Sequence, residues 1–108
     1  MKNKNNKKVI EEIVWKANEA YIGQNDDQAA KYYLEALELG ADLEGTEHVQ
    51  LGDALDTIGQ HTEAIKHYRI AIKKDPNQVH CYNYLAVDLL NQNDKKGAEE
   101  AFRKVIEL

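Results

Sequence analysis

The stretch "EAIKHYRIAIKKDPN", Glu63 to Asn77, carries the only proline of the chain, and its reading decides the fold. Ala64, Ile65, Tyr68, Ala71 and Ile72 fall at i, i+1, i+4, i+7 and i+8. That spacing lays them along one stripe of an α-helix. Lys66, His67, Lys73 and Lys74 fall off the stripe and are expected on the surface. Two lysines in the last turn suit the negative end of the helix dipole. Asp75 precedes Pro76, whose ring drives the preceding residue out of helical geometry. The helix therefore stops at the proline, and the next element begins there.

The same stripe recurs at a fixed period. Ala29, Tyr33, Ala36 and Leu37 stand 35 positions before Ala64, Tyr68, Ala71 and Ile72, and Ala98, Phe102, Val105 and Ile106 stand 34 after. A second helix precedes each stripe. Its copies contain Ala17, Gly52 and Ala86, each twelve residues before the alanine that opens its own stripe. A small residue at a fixed slot implies two helices crossing closely. The segments between paired helices, "GQNDD", "GQHTE" and "NQNDKK", are rich in turn formers. The expectation is an all-α chain of six helices, at about 8–23, 26–39, 45–58, 61–74, 78–92 and 95–107.

Composition narrows the function. The 108 residues carry a net charge of −5. Four of the 14 basic residues lie within the first eight positions, so the body holds ten against 19 acidic residues. An acidic body argues against nucleic acid, since phosphate contacts need clustered lysine and arginine. Residues 1–8, "MKNKNNKK", read as a basic, disordered tail ahead of a single domain over 9–108. No apolar run has the length of a membrane span. One cysteine, Cys81, excludes an internal disulfide and suits a cytoplasmic protein.

Three helical hairpins at this period resemble the tetratricopeptide repeat, whose pattern runs aromatic, Leu-Gly, aromatic, Ala, aromatic, Pro. The second repeat shows it as Leu51, Gly52, Leu55, Ala64, Tyr68, Ala71 and Pro76; the third as Tyr82, Leu85, Ala86, Leu89, Ala98 and Phe102. The first is weaker, with Ile13, Ala17, Ala20, Ala29, Tyr33 and Ala36. Repeats fall at about 10–43, 45–78 and 79–108. Trp15 misses the family's tryptophan slot, Lys16 stands where leucine is usual, and His48 replaces an aromatic. The first junction, "LELGADLEG", has no proline, but Gly40 can end its helix in left-handed geometry.

The resemblance implies a right-handed superhelical array in which the first helix of each hairpin lines a concave groove that holds a peptide. Counting round those helices places Glu11, Val14, Asn18 and Tyr21 on the groove side of the first. Thr46, Val49, Gln50, Asp53 and Asp56 come from the second, and His80, Asn83, Tyr84, Val87, Leu90 and Asn91 from the third. Some relatives clamp a partner's C-terminal carboxylate there with Lys, Asn and Arg. Asn18 matches one clamp asparagine, but Val14, Gln50, His80 and Tyr84 occupy the other slots, so that clamp is not expected.

The expected function is a non-catalytic interaction scaffold for a neutral or basic protein segment, without cofactor, nucleic acid or membrane. The alternative is a self-associating repeat or a fragment of a longer superhelix. Phe102, Val105, Ile106 and Leu108 would form its uncovered apolar edge, the seam of a two-fold homodimer. An enzyme has only Asp53 and Asp56 as a carboxylate pair, more commonly a solvated face. No metal site is expected: His80 adjoins Cys81, but neither has a partner at metal-ligand spacing, and His61 and His67 read as turn and surface.

Overall fold

The computed structural model describes residues 2–108, with side chains from Asn6 onward. Six helices follow in order: α1 Lys2–Ile22, α2 Asp26–Glu38, α3 Gly45–Thr57, α4 His61–Lys74, α5 Val79–Asn91 and α6 Lys95–Glu107. No strand occurs among the described residues. The expected helices are all present, with one large difference of boundary. α1 begins at Lys2, so the segment read as a disordered tail extends the first helix. Adding residues to a formed helix costs far less than nucleating one, and no glycine or proline interrupts "KNKNNKK".

Helix ends follow local chemistry. At Lys74 the helix stops as the proline demands: Asp75 is extended at φ −143°, and its carboxylate accepts from the Asn77 amide at 3.2 Å. α2 ends on Gly40, at φ +96°. The Gly40 and Ala41 amides donate back to Leu37 and Ala36, the paired bonds of a Schellman cap. α5 ends the same way around Asn93, at φ +66°. α6 starts on Asp94, whose carboxylate accepts from the Gly97 amide at 2.9 Å.

Two compact units divide the chain. The first, up to Leu43, is the α1–α2 hairpin, cored by Ala17, Ala29, Ala30, Tyr33 and Ala36. The second, Glu44–Leu108, holds the other two hairpins, with α3 on α4, α4 on α5 and α5 on α6. Its core is Leu51, Ala54, Leu55, Ala64, Tyr68, Ala71, Cys81, Leu85, Ala86, Leu89, Ala98 and Ala101.

Gly52 shows why small residues hold the crossing slots. A Cβ at Gly52 would lie 2.5 Å from the Tyr68 ring, closer than any real carbon contact. α3 and α4 pair at that distance only because the side chain is absent.

His67 does not lie on the surface as its place off the stripe suggested. α4 is packed by α3 on one side and α5 on another, so its buried arc is wider than one stripe. His67 is buried against His48, with Nδ1 atoms 3.2 Å apart and rings stacked at 5.4 Å. One ring must donate and the other accept. Burial first, then the His48 ring and Lys66, push His67 down to about 4; Glu63 opposes them.

Two outcomes follow from this packing. Gly52→Leu should cost about 3 kcal/mol, the upper end of overpacking. Gly40→Ala meets no atom within 4 Å and should cost about 1 kcal/mol, for left-handed geometry alone. Paired thermal melts measure the order. Because His67 protonates more readily unfolded than folded, its contribution is complete above pH 6.5 and is lost as pH falls towards 4. Because Asp88 titrates with the opposite sign over the same range, the comparison isolates His67: the urea midpoint of His67→Phe should gain on that of the wild type as pH falls through that window.

Candidate functional site

The centre of the second unit is Tyr68, fully buried on α4. Its ring lies against Gly52, and its hydroxyl donates to Asp56 Oδ2 at 2.8 Å. The other Asp56 oxygen, Oδ1, is 2.8 Å from His61 Nδ1, at the start of α4. From α5, Asp88 brings Oδ1 to 4.0 Å from the same imidazole nitrogen. The helices thus gather two carboxylates, an imidazole and a phenol at one place.

The charges of this cluster are graded by depth. Asp88 is only 5% exposed, and its carboxyl is pushed up to about 7. Burial is the main cause, followed by its hydrogen bond with Asp56 and that residue's charge, with His61 opposing. His61, at the surface, is raised by its hydrogen bond to Asp56 and by the charges of Asp56 and Asp88, against some desolvation. The Tyr68 hydroxyl is held far above its ordinary range by burial, by its bond to Asp56 and by the surrounding aspartates. Tyr68 therefore acts as a fixed donor.

An exposed face begins beside this network. The Tyr84 ring tilts against Tyr68 at 5.8 Å, and His80 meets Tyr84 edge-on at 5.9 Å. Tyr84, Val87 and Leu90 are each 40–49% exposed along one side of α5, with exposed Asn83 and Asn91 among them. Elsewhere in the unit, a depression of about 430 Å³ opens between α4, α5 and α6. Ile72, Tyr82, Leu85, Leu89 and Ala101 line it, with Arg69, Lys73 and Lys104 alongside. None of those residues was expected in a site.

Residues 48–78 and 79–108 each match a family model described as the tetratricopeptide repeat. Together the two matches span more than half the chain. The protein belongs to the tetratricopeptide-repeat family. No curated protein matches it in sequence. Among solved structures it is similar to a point mutant of MamA, at 22% identity and TM-score 0.81 over 91% of this chain and 71% of that one. It is also similar to the Arabidopsis OM64 TPR domain, at 23% and 0.77 over 95% and 84%. The TPR2B domain of yeast Sti1, in a complex with pHsp70, gives 24% and 0.72 over 89% and 76%. At these identities the likeness is one of fold.

The residues expected in the tetratricopeptide groove divide between surface and interior. His80, Asn83, Tyr84, Val87, Leu90 and Asn91 are exposed on α5 as expected. Val49 is not: only 4% exposed, it packs inside the hairpin. Gln50, Asp53 and Asp56 are half-buried, and Asp56 is already engaged by His61 and Tyr68. Thr46 is exposed. In the first unit Asn18 accepts the Tyr33 hydroxyl, Tyr21 and Val14 are half-buried, and Glu11 is exposed. Cys81 is fully buried, and burial raises its thiol to about 12, so it is no activated nucleophile. At the far edge Phe102, Ile106 and Leu108 are 37%, 85% and 52% exposed, and Val105 is half-buried.

The clustering of Asp56, His61 and Asp88 escaped sequence reading. Five and 27 residues separate successive members, and no periodicity within one helix joins them. Tyr68→Phe should isolate the hydroxyl's contribution. The ring stays, the half-buried Asp56 carboxylate loses a donor, and stability should fall by about 1–3 kcal/mol in urea denaturation, with helicity by circular dichroism unchanged.

Proposed function

We propose that this tetratricopeptide-repeat protein is an interaction module that binds a neutral or basic protein segment along the exposed face of α5. The observation that carries the reading is the solvent-facing row Tyr84, Val87 and Leu90, set among the polar side chains of His80, Asn83 and Asn91. Aromatic and aliphatic contact area among adaptable hydrogen-bonding groups suits a peptide. The sign of the partner follows from Asp53 and Asp56 on α3. Asp56 has 20% of its side chain exposed, and Asp53 is half-buried. The Sti1 TPR2B complex with pHsp70 supports the general mode, since a domain of this fold there holds a protein ligand. The carboxylate clamp is a poor template here, because Val14, Gln50, His80 and Tyr84 put no lysine or arginine at its other slots.

Titrating isotope-labelled protein with basic, neutral and acidic peptides checks this. Shifts should concentrate on α5 between His80 and Asn91, a basic peptide should weaken with added salt, and Val87→Glu should cut affinity at least tenfold for a neutral one. Tight binding of a strongly acidic peptide, indifferent to Val87→Glu, would overturn the assignment.

A second reading is favoured by one observation. Ile106 is 85% exposed, with Leu108 and Phe102 also open along α6. We infer self-association through this helix, with two copies placing the same strip face to face. Light scattering after size exclusion should give a dimer mass that Ile106→Glu reduces to a monomer, with helicity retained. A wild-type monomer at high concentration excludes it.

A further inference from the structure

We propose that Asp56, His61 and Asp88 form a binding site for one divalent transition-metal ion. One ligand-type atom from each residue lies within 4.8 Å of the others. The three come from the end of α3, the start of α4 and the middle of α5, all inside one compact unit. Burial grades them: Asp88 lies deepest, Asp56 is half-buried, and His61 is at the surface.

Proximity of two aspartates and a histidine is not enough, since acidic groups often cluster without an ion. The independent observation is at the deepest of the three. Asp88 is 95% buried, its carboxylate faces Asp56 and His61, and its Oδ2 is reached by no hydrogen-bond donor among the described residues. A carboxylate oxygen can only accept, and an unmet buried acceptor is costly. Its neighbour Asp56 is a second acceptor. Two facing carboxylates need something positive between them, and either a shared proton or a cation supplies it.

The donor set and its supports favour the cation. One imidazole nitrogen with two carboxylates, open to solvent on one side, is a set that holds zinc with a fourth position free. A tetrahedral ion at the usual bond lengths spaces its ligand atoms about 3.4 Å apart. Here Asp56 Oδ1 and His61 Nδ1 are closer, at 2.8 Å, and His61 Nδ1 and Asp88 Oδ1 are wider, at 4.0 Å. Small side-chain rotations reconcile the two. The Tyr68 hydroxyl holds Asp56 Oδ2 and leaves Oδ1 turned to the site, as a donor behind a metal ligand does. The nitrogen ligand selects zinc, cobalt or nickel over magnesium or calcium, which prefer all-oxygen shells.

The test uses the full chain, free of any purification tag and stripped with chelator. Calorimetry with zinc chloride should show one equivalent bound, and cobalt chloride should give a visible d–d absorption band. Asp88→Asn keeps shape and removes a ligand charge; His61→Ala removes the nitrogen at an exposed position. Each should weaken zinc at least tenfold and abolish the cobalt band, with wild-type helicity confirming the fold. Absence of saturable zinc binding would mean that a proton alone fills the site, and the proposal would fail. It would fail equally if affinity were unchanged in both variants, as when the buried His48–His67 pair holds the ion, or if magnesium competed on equal terms.

Discussion

The contact between Tyr68 and the bare backbone of Gly52 sets the geometry of the larger unit. An aromatic ring fills the space where a Cβ at position 52 of α3 would be. The crossing of α3 and α4 is therefore fixed by an absence on one helix and a large side chain on the other, and close packing leaves no slack to trade one for the other. The cluster of Asp56, His61 and Asp88 is arranged beside the same residue. The ring is sealed, its hydroxyl must find an acceptor, and Asp56 supplies one. Tyr33 repeats the device in the first unit, where its hydroxyl reaches Asn18 across the hairpin. The third hairpin has Phe102 at this slot, with no hydroxyl to satisfy and more than a third of the residue exposed.

That arrangement divides the surface of the second unit by role. Asp56, His61 and Asp88 lie where α3, α4 and α5 meet, and their chemistry is directed inward by Tyr68. The α5 face, reached through Tyr84, is outward and mostly apolar. Side chains that hold the helices together are spent on structure: Val49 is buried, and Asn18 accepts the Tyr33 hydroxyl. Those left exposed on α5 are the ones no neighbouring helix claims.

Two buried titrations act on stability with opposite sign. His67 is harder to protonate folded than unfolded, so acid works against the fold through it. Asp88 is easier to protonate folded than unfolded. Its contribution is complete below the ordinary carboxylate range and is lost as pH rises through about 7. The cause is the same in both, a charge that would have to form out of water, and only the sign of that charge differs.

Spacing along the chain determined the six helices, the close crossing at Gly52, the stop before Pro76, the turn at Gly40 and the exposed row of α5. Each depends on neighbours three, four or seven positions away, or on a residue whose own backbone preference is strong. Where α1 begins was not legible, because lysine and asparagine permit helix and coil alike and an adjoining helix decides. The His48–His67 pair and the Asp56–His61–Asp88 cluster were settled only in three dimensions. Their members lie up to 32 residues apart, and no pattern within a helix relates them. Which side chains meet depends on the angle and depth at which whole helices cross, and that depends on how their surfaces fit together, a property of the packed pair and of neither sequence segment alone.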